Sequence, residues 1–353
     1  MTVVFDLGSL VNRIQPPDDN AREAALQRQA RLTKPTGALG RLEELSVWAS
    51  AVQGRCPPDP FRRIQVVLVA ADHGVAQHGV SAYPPEVTAQ MVANFAAGGA
   101  AVNALARHVD AHVQVVDVGV TTDVAGADAR WKVRNGSGAI DREDALDADE
   151  LSRALSAGVA LADEAVDAGA DLVVPGDMGI GSTTACAAVV AAQLGLTAVD
   201  VCGRGTGIDD DGLQRKQNAV DAALSRLRPE ADPLEVLRVV GGVDLAVLTT
   251  LLIAASARRT PVVLDGIVSC TAALVAARLA PAAVSWWVAG HRSTEPAQQA
   301  ALADLGLSPL LDLGMRLGEG TGALMAVPVL QAAIATLREM ATFDEAGVSD
   351  RSD

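Results

Sequence analysis

Three glycine-rich segments hold the side chains best suited to chemistry. In Arg316-Leu317-Gly318-Glu319-Gly320-Thr321-Gly322-Ala323, one carboxylate sits between glycines just ahead of an apolar helix. Glycine neighbours give Glu319 little side-chain cover and let the backbone bend tightly, so the acid can point into a cavity. The stretch Leu310 to Val329 is apolar and should be largely buried. A buried carboxylate there suits general-base work, against the commoner reading of a loop glutamate facing water. In Gly176-Asp177-Met178-Gly179-Ile180-Gly181-Ser182-Thr183-Thr184, glycines permit close backbone approach, and Ser182, Thr183 and Thr184 can cap the helix that follows. The free N–H groups of that helix can bind a phosphate. An ordinary capped turn has the same composition, and the spacing is not that of a GxGxxG fingerprint. In Gly203-Arg204-Gly205-Thr206-Gly207-Ile208-Asp209-Asp210, leading to Lys216, alternating glycines form either a surface that wraps an anion or a flexible connection. Two such loops after successive strands favour a phosphate ligand over either loop taken alone.

Other polar residues carry weaker signals. His73, in Asp72-His73-Gly74-Val75, and His291, in Gly290-His291-Arg292-Ser293-Thr294-Glu295-Pro296, could serve as acids or bases. Both read better as strand-end caps bonded to backbone, with the charged cluster after His291 capping the next helix. Asp244 and Asp265 end strands and either brace loops or position a substrate. Trp286-Trp287 reads as a core pair in a strand. There is no Walker A loop, HExxH or GxSxG. Val262-Val263-Leu264-Asp265-Gly266 has a single acid, unlike the paired acids of Mg²⁺-dependent enzymes that use phosphoribosyl pyrophosphate. Neither a metal nor a cofactor is expected.

The elements that must position these loops follow from hydrophobic texture. Short apolar runs at Ile64–Ala70, His112–Val118, Leu172–Val174, Arg238–Val240, Pro261–Leu264 and Val284–Val288 read as strands. Between them, Pro85–Arg107, Asp149–Ala168, Thr183–Leu194, Gly212–Leu227, Leu245–Ala257 and Thr271–Leu279 read as helices. Near-continuous apolar strands alternating with helices predict a doubly wound, mostly parallel sheet in a three-layer, Rossmann-like α/β/α arrangement. Ligands of such sheets bind outside the carboxyl ends of the strands, where the glycine loops gather. Residues 1–60 read as a small helical domain joined by helices near the C-terminus, 61–330 as the catalytic α/β domain, and 331–353 as a helix followed by a disordered tail from Glu345. Thr121–Asp149 is irregular and polar, a flap or a small excursion.

Bulk properties exclude several classes. Of 353 residues, 50% are hydrophobic and only 3% aromatic, and the net charge is −15. Few aromatics and a strong negative charge argue against nucleic acid as a partner, though not against a phosphorylated small molecule, which responds to local donors. Cys56, Cys186, Cys202 and Cys270 form no CxxC pair and read as reduced thiols. Met1 to Gln15 lacks a signal-peptide pattern, and the longest apolar runs are interrupted before they could span a bilayer. A cytoplasmic protein without a membrane partner is the expectation.

In order along the chain, Lys34–Glu43, Ala71–Val75, Gly176–Thr184, Gly241–Asp244, Val263–Gly266 and Arg316–Ala323 resemble the blocks of the nicotinate-nucleotide:dimethylbenzimidazole phosphoribosyltransferase family. The resemblance runs from about Lys34 to Leu330. It implies transfer of the phosphoribosyl group of nicotinate mononucleotide to dimethylbenzimidazole, for the lower ligand of cobalamin, by a homodimer. It implies Glu319 as general base and Asp177, where members usually have Glu, as a supporting carboxylate. Lys216 and Gly203–Gly207 match positions associated with phosphate, and Tyr83 and Met91 fall near the base pocket. With the loops read above, the substrate-binding set is Gly176, Gly179, Gly181, Ser182, Thr183, Gly203, Gly205, Thr206, Gly207, Lys216, Asp244, Asp265, Tyr83 and Met91. Other readings are the same transfer to adenine, a simpler benzimidazole or a phenol, a non-catalytic nucleotide-binding module, and a nicotinamide-cofactor oxidoreductase.

Overall fold

The computed structural model describes residues 6–349. Its strands β1 (Ile64–Ala71), β2 (Ala111–Gly119), β3 (Leu172–Met178), β4 (Val262–Leu264) and β5 (Trp287–Ala289) form one parallel sheet in the order β2-β1-β3-β4-β5. In β1, Val66, Val67, Leu68 and Val69 are all fully buried. Successive side chains point to opposite faces, so both faces of the sheet are covered, as the apolar runs predict. β2 and β3 lie on opposite sides of β1, and the crevice above the carboxyl ends of β1 and β3 is therefore the switch point where ligands of such sheets bind.

Three expected elements differ. Arg238–Val240 is not a strand but the last turn of the helix Pro233–Val240. Asp232 caps that helix by accepting Leu234 N and Glu235 N at 3.0 and 2.9 Å, and Pro233 pre-sets its first turn. The single helix expected over Pro85–Arg107 is two, Val87–Ala96 and Ala101–His108, divided at Gly98-Gly99, where Gly98 is left-handed. In place of a strand from Val284, Pro281–Trp286 is a 3₁₀ turn and β5 begins at Trp287. Both tryptophans are core, with indole N–H groups on Gln15 O at 2.9 Å and Ser256 Oγ at 3.0 Å. The irregular segment from Thr121 is pinned to β1 through Ser137, whose N–H donates to Asp72 O and whose carbonyl accepts Gly74 N.

The helices Asp19–Arg31 and Arg41–Gln53 pack against Thr321–Glu339 around a separate small core of Ala25, Leu32, Val47 and Leu337. Arg28 fastens this unit by donating from Nε to Leu337 O at 2.7 Å. A boundary at residue 330 falls inside the helix Thr321–Glu339, which begins at the sheet and ends in the small unit. By length and composition alone that helix could cross a bilayer, although Gly322 and Arg338 lie within it. It buries Leu324, Val327, Leu330 and Ile334 in the main core. The tail expected from Glu345 starts within an ordered turn, Phe343–Ala346, capped by Thr342; residues 350–353 lie outside the described part, as do residues 1–5 of the segment read for a signal peptide.

Candidate active site

A cavity of about 330 Å³ opens above the carboxyl ends of the sheet, inside the roughly 300–1,000 Å³ range of small-molecule sites. Its walls bring together Glu319, Asp177, Gly179, Gly181, Ser182, Thr183, Gly205, Thr206, Tyr83 and Met91. Gly176, Gly203, Lys216, Asp244 and Asp265, read from sequence as substrate-binding, are buried behind the wall rather than on it, and Gly207 is exposed outside it.

Glu319 is only 4% exposed. Gly318, Glu319 and Gly320 have φ of 81°, 63° and 86°, three left-handed residues in succession. Such a conformation costs a non-glycine residue roughly 1–2 kcal/mol, so the surroundings must hold it. The Asp265 carboxylate does so, accepting Gly320 N at 3.0 Å and Ala323 N at 2.9 Å. Gly176 in β3 lies so close beneath that an added Cβ would stand 2.8 Å from Glu319 O. The backbone N–H of Val102, at the start of the helix that the Gly98-Gly99 break creates, faces the glutamate carboxylate and favours its charged form. Burial, and then the negative charge of Asp265, push its pKa up to about 7, the value a general base at neutral pH needs.

Asp177, on β3, has its carboxyl held well above the usual range by burial, followed by the charges of Asp265, Asp244 and Glu319, against the smaller opposing effect of the Glu319 backbone. Burial and the acidic neighbours thus favour the protonated form of this group, which the sequence reading takes as a supporting carboxylate.

At the opposite end the helix Ser182–Leu194 presents its N-terminus to the cavity, after Gly181 in a left-handed turn. The Gly203–Gly207 loop is shaped from outside: Gly205 N donates to Glu295 Oε1 at 2.8 Å, and Gly205 O accepts Arg316 Nη1 at 2.7 Å. Gly203 packs against the Glu295 carboxylate and Gly207 near the Arg316 guanidinium. Thr206 Oγ1 meets Ser81 Oγ at 3.1 Å, which ties the loop after β1 to the same wall. Lys216 is completely buried and donates from Nζ to Thr183 Oγ1 at 2.8 Å. Burial lowers its pKa, while the charge of Glu295 works the other way. Val80, Val87, Met91, Met178, Ile267 and Leu317 line an apolar part of the cavity that suits a flat ring.

Both histidine readings need correction. The His73 ring is not bonded to backbone: Nε2 pairs with Asp244 Oδ2 at 3.0 Å, both groups fully enclosed. Burial opposes protonation of this imidazole, but Asp244 and Asp72 outweigh it and raise its pKa. Asp244 itself starts the helix Val243–Ala257 instead of ending a strand. His291 lines the cavity, and neither ring nitrogen has a hydrogen-bond partner among the described residues. Glu295 does not cap its helix with its side chain; it shapes the Gly205 turn instead. Sequence reasoning also missed Arg316, Ser81, Ser293 and the Val102 amide. Only Arg316 and Ser293 sat in segments already singled out. Among the described residues, no group of three or more His, Cys, Asp or Glu is placed to hold a metal ion.

The chain matches a family described as Phosphoribosyltransferase over residues 14–348. A Mycobacterium avium (strain 104) protein named nicotinate-nucleotide–dimethylbenzimidazole phosphoribosyltransferase is 59% identical over 344 residues, 96% of this chain and 98% of that one. A Mycobacterium leprae (strain TN) protein of the same name is 54% identical over 341 residues, 96% of this chain and 97% of its own. The crystal structure of the Thermus thermophilus enzyme of that name superposes with a TM-score of 0.89 at 46% identity, covering 95% of this chain and 100% of that one. Sequence and fold agree, and the chain belongs to the nicotinate-nucleotide:dimethylbenzimidazole phosphoribosyltransferase family.

Proposed function

We propose that this chain transfers the phosphoribosyl group of nicotinate mononucleotide to dimethylbenzimidazole, releasing nicotinate and forming α-ribazole phosphate. The observation that carries this reading is Glu319: a buried carboxylate on a left-handed turn, poised near neutral pH, in one cavity with an open helix N-terminus. The phosphate sits at the N-terminus of the helix Ser182–Leu194, beside Thr183 and Thr206, where the helix dipole favours an anion. Lys216 adds positive charge from behind Thr183. The acceptor base occupies the apolar part beside Met91 and Leu317.

The nicotinate nitrogen is a pyridinium, so the C1′–N bond breaks with its electron pair passing to the ring and leaves a neutral pyridine. A benzimidazole nitrogen attacks C1′ from the opposite face, which inverts the anomeric centre. Bond formation makes the other ring N–H strongly acidic, and Glu319 takes that proton. The anionic carboxylate also stabilises the positive charge that develops on the ring. A pyridinium in the cavity favours the ionised form of Asp177, which faces the ribosyl cation as a carboxylate. Fixing phosphate and base on two rigid walls supplies the orientation such a displacement needs. The family membership further leads us to place the reaction in the cytoplasm, in a homodimer.

Glu319→Gln tests the assignment. Turnover with nicotinate mononucleotide and dimethylbenzimidazole is expected to fall by roughly 10²–10⁴, the contribution of a general base, with nucleotide binding retained. Near-normal turnover in this variant removes Glu319 from the mechanism. Running adenine, benzimidazole and a phenol beside dimethylbenzimidazole, with products identified by mass and NMR, decides the acceptor.

A further inference from the structure

Asp265 lies just past the end of β4, fully buried, and it is off the cavity wall. Its backbone is fixed at both ends: its N–H donates to Ser269 Oγ at 2.8 Å, and its carbonyl accepts Gln298 Nε2 at 3.1 Å. Its two side-chain oxygens are both spent on the segment that carries Glu319, one on Gly320 N and the other on Ala323 N. Those amides are among the orphan donors at the start of the helix Thr321–Glu339. A carboxylate there satisfies them, complements the helix dipole, and ties the strained turn to the sheet. Among the described hydrogen bonds the Gly320 amide has no other acceptor, while Thr321 closes the other side of the turn by donating from N and Oγ1 to Gly318 O at 3.0 and 2.7 Å.

We propose that Asp265 is a positioning residue rather than a substrate ligand: it clamps the Glu319 turn in its left-handed conformation and sets a fixed negative charge behind the base. This rests on Glu319 being the base of the proposed transfer. The charge has a definite direction of effect. The groups that face Glu319 are Asp177 from β3, Asp265 after β4, His291 after β5, Arg316 from its own loop, and the amide of Val102. The negative charge of Asp265 acts on the Glu319 proton and strengthens the hold on it, and Glu319 and Asp177 also repel each other. Asp265 therefore makes Glu319 a stronger base while fixing its aim. His291 Nε2, 3.6 Å from Asp265 Oδ1, is too far for a hydrogen bond and leaves both carboxylate oxygens to the turn.

Asp265→Asn keeps the shape, removes the charge, and opposes an amide NH₂ to one of the two backbone donors. Two readouts separate positioning from general structural support: the pH profile of kcat, and a carboxyl ¹³C NMR titration of Glu319 in ¹³C-Glu-labelled protein, assigned by its loss in Glu319→Gln. In Asp265→Asn we expect kcat to fall about tenfold or more, KM for nicotinate mononucleotide to stay within about threefold, and the Glu319 midpoint and the acid limb of kcat to move down by about half a pH unit or more. A folded variant whose midpoint and kcat match the wild type overturns the proposal. So does one that loses thermal stability while the midpoint stays put. If Asp265→Asn does not fold, Ser269→Ala, which removes only the hydroxyl under the Asp265 amide, is expected to lower kcat about threefold; unchanged kcat there is equally fatal. The NMR titration needs no turnover, so wild-type protein that makes no product would sink the functional reading and still leave the effect of Asp265 on Glu319 measurable.

Discussion

Replacing Glu319 by glutamine should stabilise the protein above neutral pH while destroying its proposed chemistry. The glutamate carboxyl has an ordinary value of 4.5 and is pushed up to about 7 in the folded chain, first by burial and then by Asp265. A group whose folded value lies above its unfolded one binds its proton more tightly in the native state. Its favourable contribution is complete below about 4.5 and is lost as pH climbs through about 7. The gap of about 2.5 pH units, at about 1.36 kcal/mol each, sets an upper bound of about 3 kcal/mol on the native-state cost of the carboxylate. Relaxation of the turn and water entering the cavity reduce this, so about 1–2 kcal/mol is the expected size at pH 8.5. Glutamine is nearly isosteric and carries no charge at any pH. Thermal melts of both proteins between pH 4.5 and 9 should therefore coincide at the acid end and diverge above pH 7, with the variant a few degrees more stable. The charge of Glu319 also raises the Asp177 value, so the variant should gain slightly more than the single-site figure. Parallel melting curves across the whole pH range would refute the claim that Glu319 is buried and strained toward its protonated form. Under the same reasoning, wild-type kcat/KM rises with pH through about 7, as the base loses its proton.

Two further outcomes follow from close contacts. Gly176→Ala drives a Cβ to 2.8 Å from Glu319 O; the turn must shift, and kcat should drop by roughly 10-fold or more, because displacements of about an ångström at a reacting group are that costly. Retained kcat in steady-state assays contradicts the close-approach argument. His73→Ala leaves Asp244 buried without its partner, and chemical denaturation should show a loss of about 3–5 kcal/mol, whereas a loss under about 1 kcal/mol means the pair is not the buried ion pair described here.

The sheet was legible because burial on both faces writes itself into sequence as unbroken apolar runs, as at Ile64–Ala71. Length and local breakers were less so. Arg238-Val239-Val240 has the composition of a short strand, and only the cap at Asp232-Pro233, six residues upstream, marks it as a helix end. The Gly98-Gly99 break was visible as residues but not as a break with purpose; it is there that a helix start meets the carboxylate of Glu319. Among site residues, Glu319, Asp177 and the two phosphate loops stood out because glycine beside a polar group is a local signal. His291 and Glu295 were visible only as a charged cluster after a strand, and the Val102 amide gave no local sign, since what makes them part of the site is a neighbour far away in the chain.

Taken alone, the sequence determined the layered architecture, the loops that reach the ligand and the acid that can act as base, because periodicity, glycine placement and charge are properties of a few adjacent residues. The tertiary structure decided everything that depends on distance across the chain. It made Asp265 a clamp on the Glu319 turn, 58 residues away at Ala323, and put Lys216 behind Thr183 instead of in the open. It also raised the pKa of Asp177 by burying it and then crowding it with Asp265, Asp244 and Glu319. Protonation and aim are set by the field and the packing at a point in space, and segments that share that point need not be near one another in sequence.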